Sequence, residues 1–116
     1  MTTPAVITEH AAHLAESDAI LFITPEYNYS VPGHLKNAID WLSRDERQPF
    51  SGKKAAIIGG SPGNIGSARM QYDLRKIGVF LDLQFLNKPE VMISSMYNKF
   101  DDQLNLIDEG TLKLIN

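Results

Sequence analysis

At 116 residues, with 43% hydrophobic and 22% charged side chains, the chain reads as one soluble globular domain with a small core of ordinary density. A formal net charge of −3 gives no electrostatic reason to expect a nucleic-acid partner, and the lack of cysteine excludes disulfides, thiolate nucleophiles and cysteine-based metal sites. The longest apolar run, Ala19 to Ile23, is far short of the roughly 20 residues of a membrane span.

The first residues, Met1-Thr2-Thr3-Pro4, lack the charged and apolar regions of a signal peptide, which points to the cytoplasm. In a cytosolic turn the Asn28-Tyr29-Ser30 sequon carries no glycan. Residues 5 to 16 hold Ala11, Ala12, Leu14 and Ala15 and predict a short helix, broken at Ser17-Asp18. Ala19-Ile20-Leu21-Phe22-Ile23 is continuously apolar without helical alternation, which predicts a strand covered on both faces, as in a parallel sheet. A polar, aromatic turn follows. Leu35, Ala38, Ile39 and Leu42 then recur at i, i+3, i+4, i+7, an amphipathic helix for which Ser30 is the expected cap and Pro32 suits the first turn.

Arg44 to Gly52 is a charged loop, and Lys53 to Gly60 repeats the short apolar run as a second buried strand. It empties into Gly59-Gly60-Ser61-Pro62-Gly63-Asn64-Ile65-Gly66, before Met70, Leu74 and Ile77 appear at helical spacing with Gly78 as the expected stop. Val79 to Leu86 supplies a third extended segment, Pro89 to Ile93 its continuation past a bulge or turn, and Phe100 to Asn116 a polar loop leading into a weak helix. Strands alternating with helices imply a parallel sheet wound by right-handed crossovers, about three strands wide.

Both loops lie at the carboxyl ends of successive strands, where open α/β sheets bind ligands. The Pro25 to Ser30 turn offers backbone amides, the Tyr27 and Tyr29 rings and the Asn28 amide, suited to a flat heteroaromatic ligand; Pro, Asn and Ser are equally ordinary turn residues. The Gly59 to Gly66 loop permits close backbone approach to an anion or ring edge, yet it matches neither the phosphate-binding GxxxxGK[ST] pattern nor the dinucleotide fingerprint. His10, His13 and His34 complete no zinc pattern and read as surface or packing residues. Asp101-Asp102 and Asp108-Glu109 read as solvated pairs, and Trp41 and Met70 as core or interface residues. Nothing in the sequence resembles a hydrolytic triad.

The run from Thr24 to Arg44, Thr-Pro-Glu-Tyr-Asn-Tyr-Ser-Val-Pro-Gly-His-Leu-Lys-Asn-Ala-Ile-Asp-Trp-Leu-Ser-Arg, closely resembles the signature of the NADPH-dependent FMN reductase family, which includes chromate, quinone and azo-dye reductases. Ser61 to Arg75 resembles the family's second flavin loop and helix, Pro89 to Ile93 adds support, and the resemblance covers about residues 15 to 115. It implies a flavodoxin-like three-layer α/β/α fold with a parallel sheet in the order 2-1-3-4-5, of which the strands here are the third, fourth and fifth. Residues 1–116 would then form a single, partial domain. It further implies that Pro25, Glu26, Tyr27 and Asn28 border the isoalloxazine ring of FMN and that Ser61, Pro62 and Gly63 line its pyrimidine side. The flavin would do the chemistry, taking hydride from NAD(P)H and passing electrons to a quinone, azo, chromate or free-flavin acceptor, with no catalytic side chain and no metal required.

Family members open with a strand and a Ser/Arg-rich loop that holds the FMN phosphate. The resemblance implies that this opening segment and part of the last helix, near Asn116, are lacking here. The expectations are therefore weak FMN retention and an exposed Ala19 to Ile23 edge that drives self-association into a homo-oligomer. The alternative is a shortened flavodoxin-like module without catalysis, acting as a binding or self-assembling unit.

Overall fold

A computed structural model describes residues 2–116. Its organising element is the strand Lys54–Gly60 (β2), whose neighbours are the strand Ala19–Pro25 (β1) on one side and the short strands Gln84–Phe85 (β3) and Val91–Ile93 (β4) on the other. All three pairings are parallel: Ala19 to Pro25 lie opposite Lys54 to Gly60, Gln84 opposite Lys54, and Ile58 opposite Val91. β3 and β4 thus share one position beside β2, so the four strands make a sheet three strands wide. The expected continuation past a turn is what separates them.

Helices Ala5–Glu16 (α1), Gly33–Leu42 (α2) and Ala68–Phe80 (α3) supply the layer that closes the core. Phe22 from β1 and Ala55 and Ile57 from β2 meet Ala11, Ile39, Leu42, Met70 and Leu74 from the helices, together with Phe50 from the α2–β2 loop. Alternation along the strands selects these residues, since every second side chain points to the same face. Each large apolar side chain buried there contributes about 2 kcal/mol of transfer free energy. Lys53 ties α1 to this layer by donating from Nζ to the α1 carbonyl of Ala15 at 3.0 Å and to that of Ser17 just beyond it at 2.5 Å, satisfying the helix end with a cation. Arg47 pins the charged loop with two bonds to Asp45, at 2.7 and 2.8 Å, and one to the Thr8 carbonyl at 2.9 Å. The Asp45 carboxyl is held at about 2 by these bonds, the Arg47 side chain first.

The opposite face of the sheet departs from expectation. Leu21 is 54% and Ile23 72% exposed, so β1 is covered on one face rather than two. The helix Glu109–Ile115 (α4) reaches that side, where it packs against β4, and Met96 and Phe100 approach its far end. Continuous apolarity marks a strand whose two faces suit apolar contact; it does not supply the contact.

Three boundaries also differ. Ser30 does not cap α2, whose N-cap is Pro32 without a side-chain bond; the Ser30 hydroxyl donates instead to Asp73 at 2.6 Å. α2 begins at Gly33, so Pro32 precedes the first turn. α3 does not stop at Gly78 but runs to Phe80, which removes Val79 and Phe80 from the third extended segment. Gly78 is buried where a Cβ would lie 2.3 Å from the Phe85 ring, so its role is close packing of α3 on β3.

Gly66 has a stricter role. Its φ is +63°, and a Cβ there would stand 2.8 Å from the Ser94 nitrogen and 3.0 Å from the Met92 carbonyl group. Gly66→Ala is expected to destabilise the chain by about 2 kcal/mol or more, read as a lowered denaturant midpoint. Gly63→Ala, with 3.8 Å to its nearest neighbour, leaves the midpoint unchanged.

The acidic pairs near the C-terminus organise backbone. Asp101 Oδ1 accepts from the N–H groups of Gln103 and Asn105, and Asp108 caps α4 by accepting from the Thr111 hydroxyl at 2.6 Å and its N–H at 2.8 Å. These Thr111 bonds, the hydroxyl first, hold the Asp108 carboxyl below its ordinary range. A lowered folded-state pKa means that this stabilisation is complete above the unfolded value of about 3.9 and lost as pH falls through the folded one. Asp108→Asn, which keeps the cap, is expected to flatten the acid limb of stability in pH-dependent thermal melts while leaving the neutral melting point nearly unchanged.

Candidate functional site

The parallel register puts Pro25 opposite Gly60, so β1 and β2 end level and release their loops side by side. The first loop turns at once. Tyr27 and Ser30 exchange backbone hydrogen bonds of 3.1 and 3.0 Å around Asn28 and Tyr29, whose φ values are +49° and +69°. This is a two-residue turn of the type that favours Asn at its first position and Gly at its second. Tyr29 stands in the glycine place, held there by the Arg69 guanidinium 3.8 Å over its ring.

The second loop is braced from a third segment. Ser61 N–H donates to the Ile93 carbonyl at 3.0 Å, and beyond β4 the Met96 and Ser95 N–H groups donate to the carbonyls of Ser61 at 3.1 Å and Gly63 at 3.0 Å. Gly66 permits the close approach of this segment. Three side-chain ties then join the first loop to α3: Glu26 to the Met70 N–H, Ser30 to Asp73, and Arg69 to Tyr29.

Between the loops lies a cleft of about 310 Å³ lined by Glu26, Asn28, Tyr29, Ser61, Gly63, Asn64, Ile65 and Arg69. It brings together four of the seven residues expected at the ligand: Glu26, Asn28, Ser61 and Gly63. Pro25 lines a neighbouring apolar cavity of about 300 Å³ on the uncovered sheet face, with Ile23, Ile58, Met96 and Phe100. Tyr27 is exposed with its ring edge toward His34, 6.2 Å between centroids, and Pro62 is exposed and outside the set that lines the cleft. Asn64, Ile65 and Arg69 join the cleft with no role assigned from sequence. Their signal was position alone, in the loop and first turn that follow the second strand.

The cleft offers neutral donors, a cation and flat surfaces. Among the described residues, the backbone N–H groups of Asn28, Tyr29, Gly63 and Asn64 donate to no protein acceptor. Arg69 brings positive charge, with Glu26 Oε1 3.9 Å from its Nη1. A planar ligand with carbonyl and ring-nitrogen acceptors matches such a lining in shape and polarity. His10 and His13 are exposed on α1, and among the described residues no three His, Asp or Glu side chains converge to hold a metal ion. No helix among them is long and apolar enough to cross a membrane.

The chain is 56% identical over 112 residues to an NAD(P)H-dependent FMN reductase of Pseudomonas aeruginosa, covering 97% of this chain and 60% of that protein. It is 53% identical over 110 residues to a quinone reductase of Escherichia coli, covering 94% and 58%. The chain thus spans somewhat under two thirds of the length of these relatives. Among solved structures, the flavoenzyme NAD(P)H:(acceptor) oxidoreductase FerB from Paracoccus denitrificans superposes with a TM-score of 0.84 at 38% identity, over 95% of this chain and 61% of that one. The likeness establishes a flavodoxin-like α/β architecture. The sequence profile of NADPH-dependent FMN reductases matches residues 1–98, and the chain belongs to that family.

Proposed function

We propose that the chain acts as an NAD(P)H-dependent, FMN-containing reductase that passes electrons from nicotinamide through flavin to quinone, azo, chromate or free-flavin acceptors. The observation that carries this reading is the cleft itself, two loops of the family's signature segments brought to one sheet edge, with backbone N–H groups on both loops that donate to no protein acceptor among the described residues. Relatives over nearly the whole chain bear the names FMN reductase and quinone reductase, in support of the same chemistry.

FMN, when bound, supplies hydride acceptance and electron delivery. The chain's own residues would bind and orient it: Ser61, Gly63 and Asn64 would hold the pyrimidine edge, while Asn28, Tyr29 and the Pro25-Glu26 backbone would border the ring. Tyr27 and Pro62 are exposed and stand outside the cleft lining. The cytoplasm, with its supply of reduced nicotinamide dinucleotides, is the compartment that fits.

Self-association belongs to the same proposal. Among the described residues β1 pairs only with β2, so its other edge presents unpaired backbone groups beside exposed Leu21 and Ile23, and a second copy of this chain is the partner we assign to it.

Fluorescence titration of FMN against the purified chain, followed by NAD(P)H oxidation with added FMN and a quinone, tests the reading. Quenching and quinone-dependent oxidation are the expected results; neither quenching nor turnover points to the non-catalytic binding module. Because a Cβ at Gly63 would meet the Ser61 hydroxyl at an ordinary contact distance of 3.8 Å, Gly63→Val is expected to weaken FMN by about tenfold, some 1.4 kcal/mol, without moving the melting temperature. For the association, Ile23→Glu should shift light-scattering mass toward monomer at micromolar concentration. A wild-type chain that is already monomeric there overturns it.

A further inference from the structure

We propose that Glu26 is a positioning residue: its carboxylate locks the first loop to the first turn of α3 and so makes one rigid cleft of two separate loops. α3 has no cap of its own. Its N-cap, Ser67, is left-handed at φ +76° and makes no side-chain capping bond; its hydroxyl oxygen accepts from Gln71 Nε2 at 3.3 Å instead. The first-turn N–H groups of a helix have no partner within it, and that of Met70 lies where water does not reach, since Met70 is fully buried. Glu26, 44 residues earlier in the chain, fills the gap with Oε2 accepting from the Met70 N–H at 2.9 Å.

The acceptor is charged as well as well placed. A carboxylate at a helix N-terminus meets the positive end of the helix dipole. The Glu26 side chain is only 9% exposed, and its second oxygen faces Arg69 at 3.9 Å, the same Arg69 that covers Tyr29. Both oxygens are therefore turned toward α3, and Glu26 serves a ligand through the position of its backbone and of Arg69. The tie sits where β1 ends, so slack in it moves Asn28 and Tyr29 relative to Gly63 and Asn64.

The binding consequence rests on the flavin reading above; the mechanical one does not. Amide hydrogen exchange on the full chain separates them, comparing wild type with Glu26→Ala, Glu26→Gln and Asp108→Ala, the last removing an unrelated cap on α4. In Glu26→Ala, exchange is expected to quicken about tenfold both at Met70 and at the paired Tyr27 and Ser30 amides. Glu26→Gln, which keeps a neutral acceptor, restores most of the protection, and Asp108→Ala loosens α4 alone. Quickening at Met70 only, or the same change at the turn in Asp108→Ala, overturns the proposal. Should Glu26→Ala not fold, Glu26→Asp, one methylene short of Met70, is expected to loosen the same two sites, and unchanged protection there overturns it equally. FMN titration adds a second readout: about a tenfold weaker Kd in Glu26→Ala and less than half that loss in Glu26→Gln. Wild type that binds no FMN removes the flavin reading and leaves exchange to decide the positioning role.

Discussion

The parallel pairing of β1 on β2, with Pro25 level with Gly60, is the constraint on which the rest of the structure depends. A shift of one residue turns every strand side chain to the other face, exchanging Phe22 and Ile57 in the core for Leu21, Ile23 and Ile58. It also separates the two strand ends. Because the core selects one register, the loops leave the sheet side by side, and a cleft follows from sheet geometry before any loop residue is specified.

What the loop residues add is rigidity. Tyr29 occupies a left-handed position that a bulky side chain disfavours, and the ties from Ser30 to Asp73 and from Arg69 to Tyr29 hold the turn in place. The second loop is braced by Ser95 and Met96 from beyond β4, with Gly66 allowing the approach. Both walls are thus fixed by residues distant in sequence.

The two faces of the sheet contrast sharply. One carries the core with α1, α2 and α3. The other is apolar along β1 and β2 and meets α4 at β4 and Met96 and Phe100 at the strand ends, leaving Leu21 and Ile23 exposed. The strand that launches the candidate site is thus also the one with an open apolar face.

The sequence by itself determined the element order, the parallel α/β class, the two loops at the strand ends and the family, because apolar runs, helical spacing and a long signature segment are local in the chain. Through the resemblance it pointed to Pro25, Glu26, Tyr27, Asn28, Ser61, Pro62 and Gly63 as ligand residues, of which Glu26, Asn28, Ser61 and Gly63 line the cleft. Only the tertiary structure decided what Ser30, Glu26, Arg69 and Gly78 do. Ser30 stands where a helix cap belongs and bonds Asp73 instead; Gly78 looks like a helix stop and serves as packing space for Phe85; Glu26 finds its partner 44 residues away. A polar side chain takes whichever partner the packed chain brings within reach, and that partner is set by sheet register and helix docking, which no local pattern encodes.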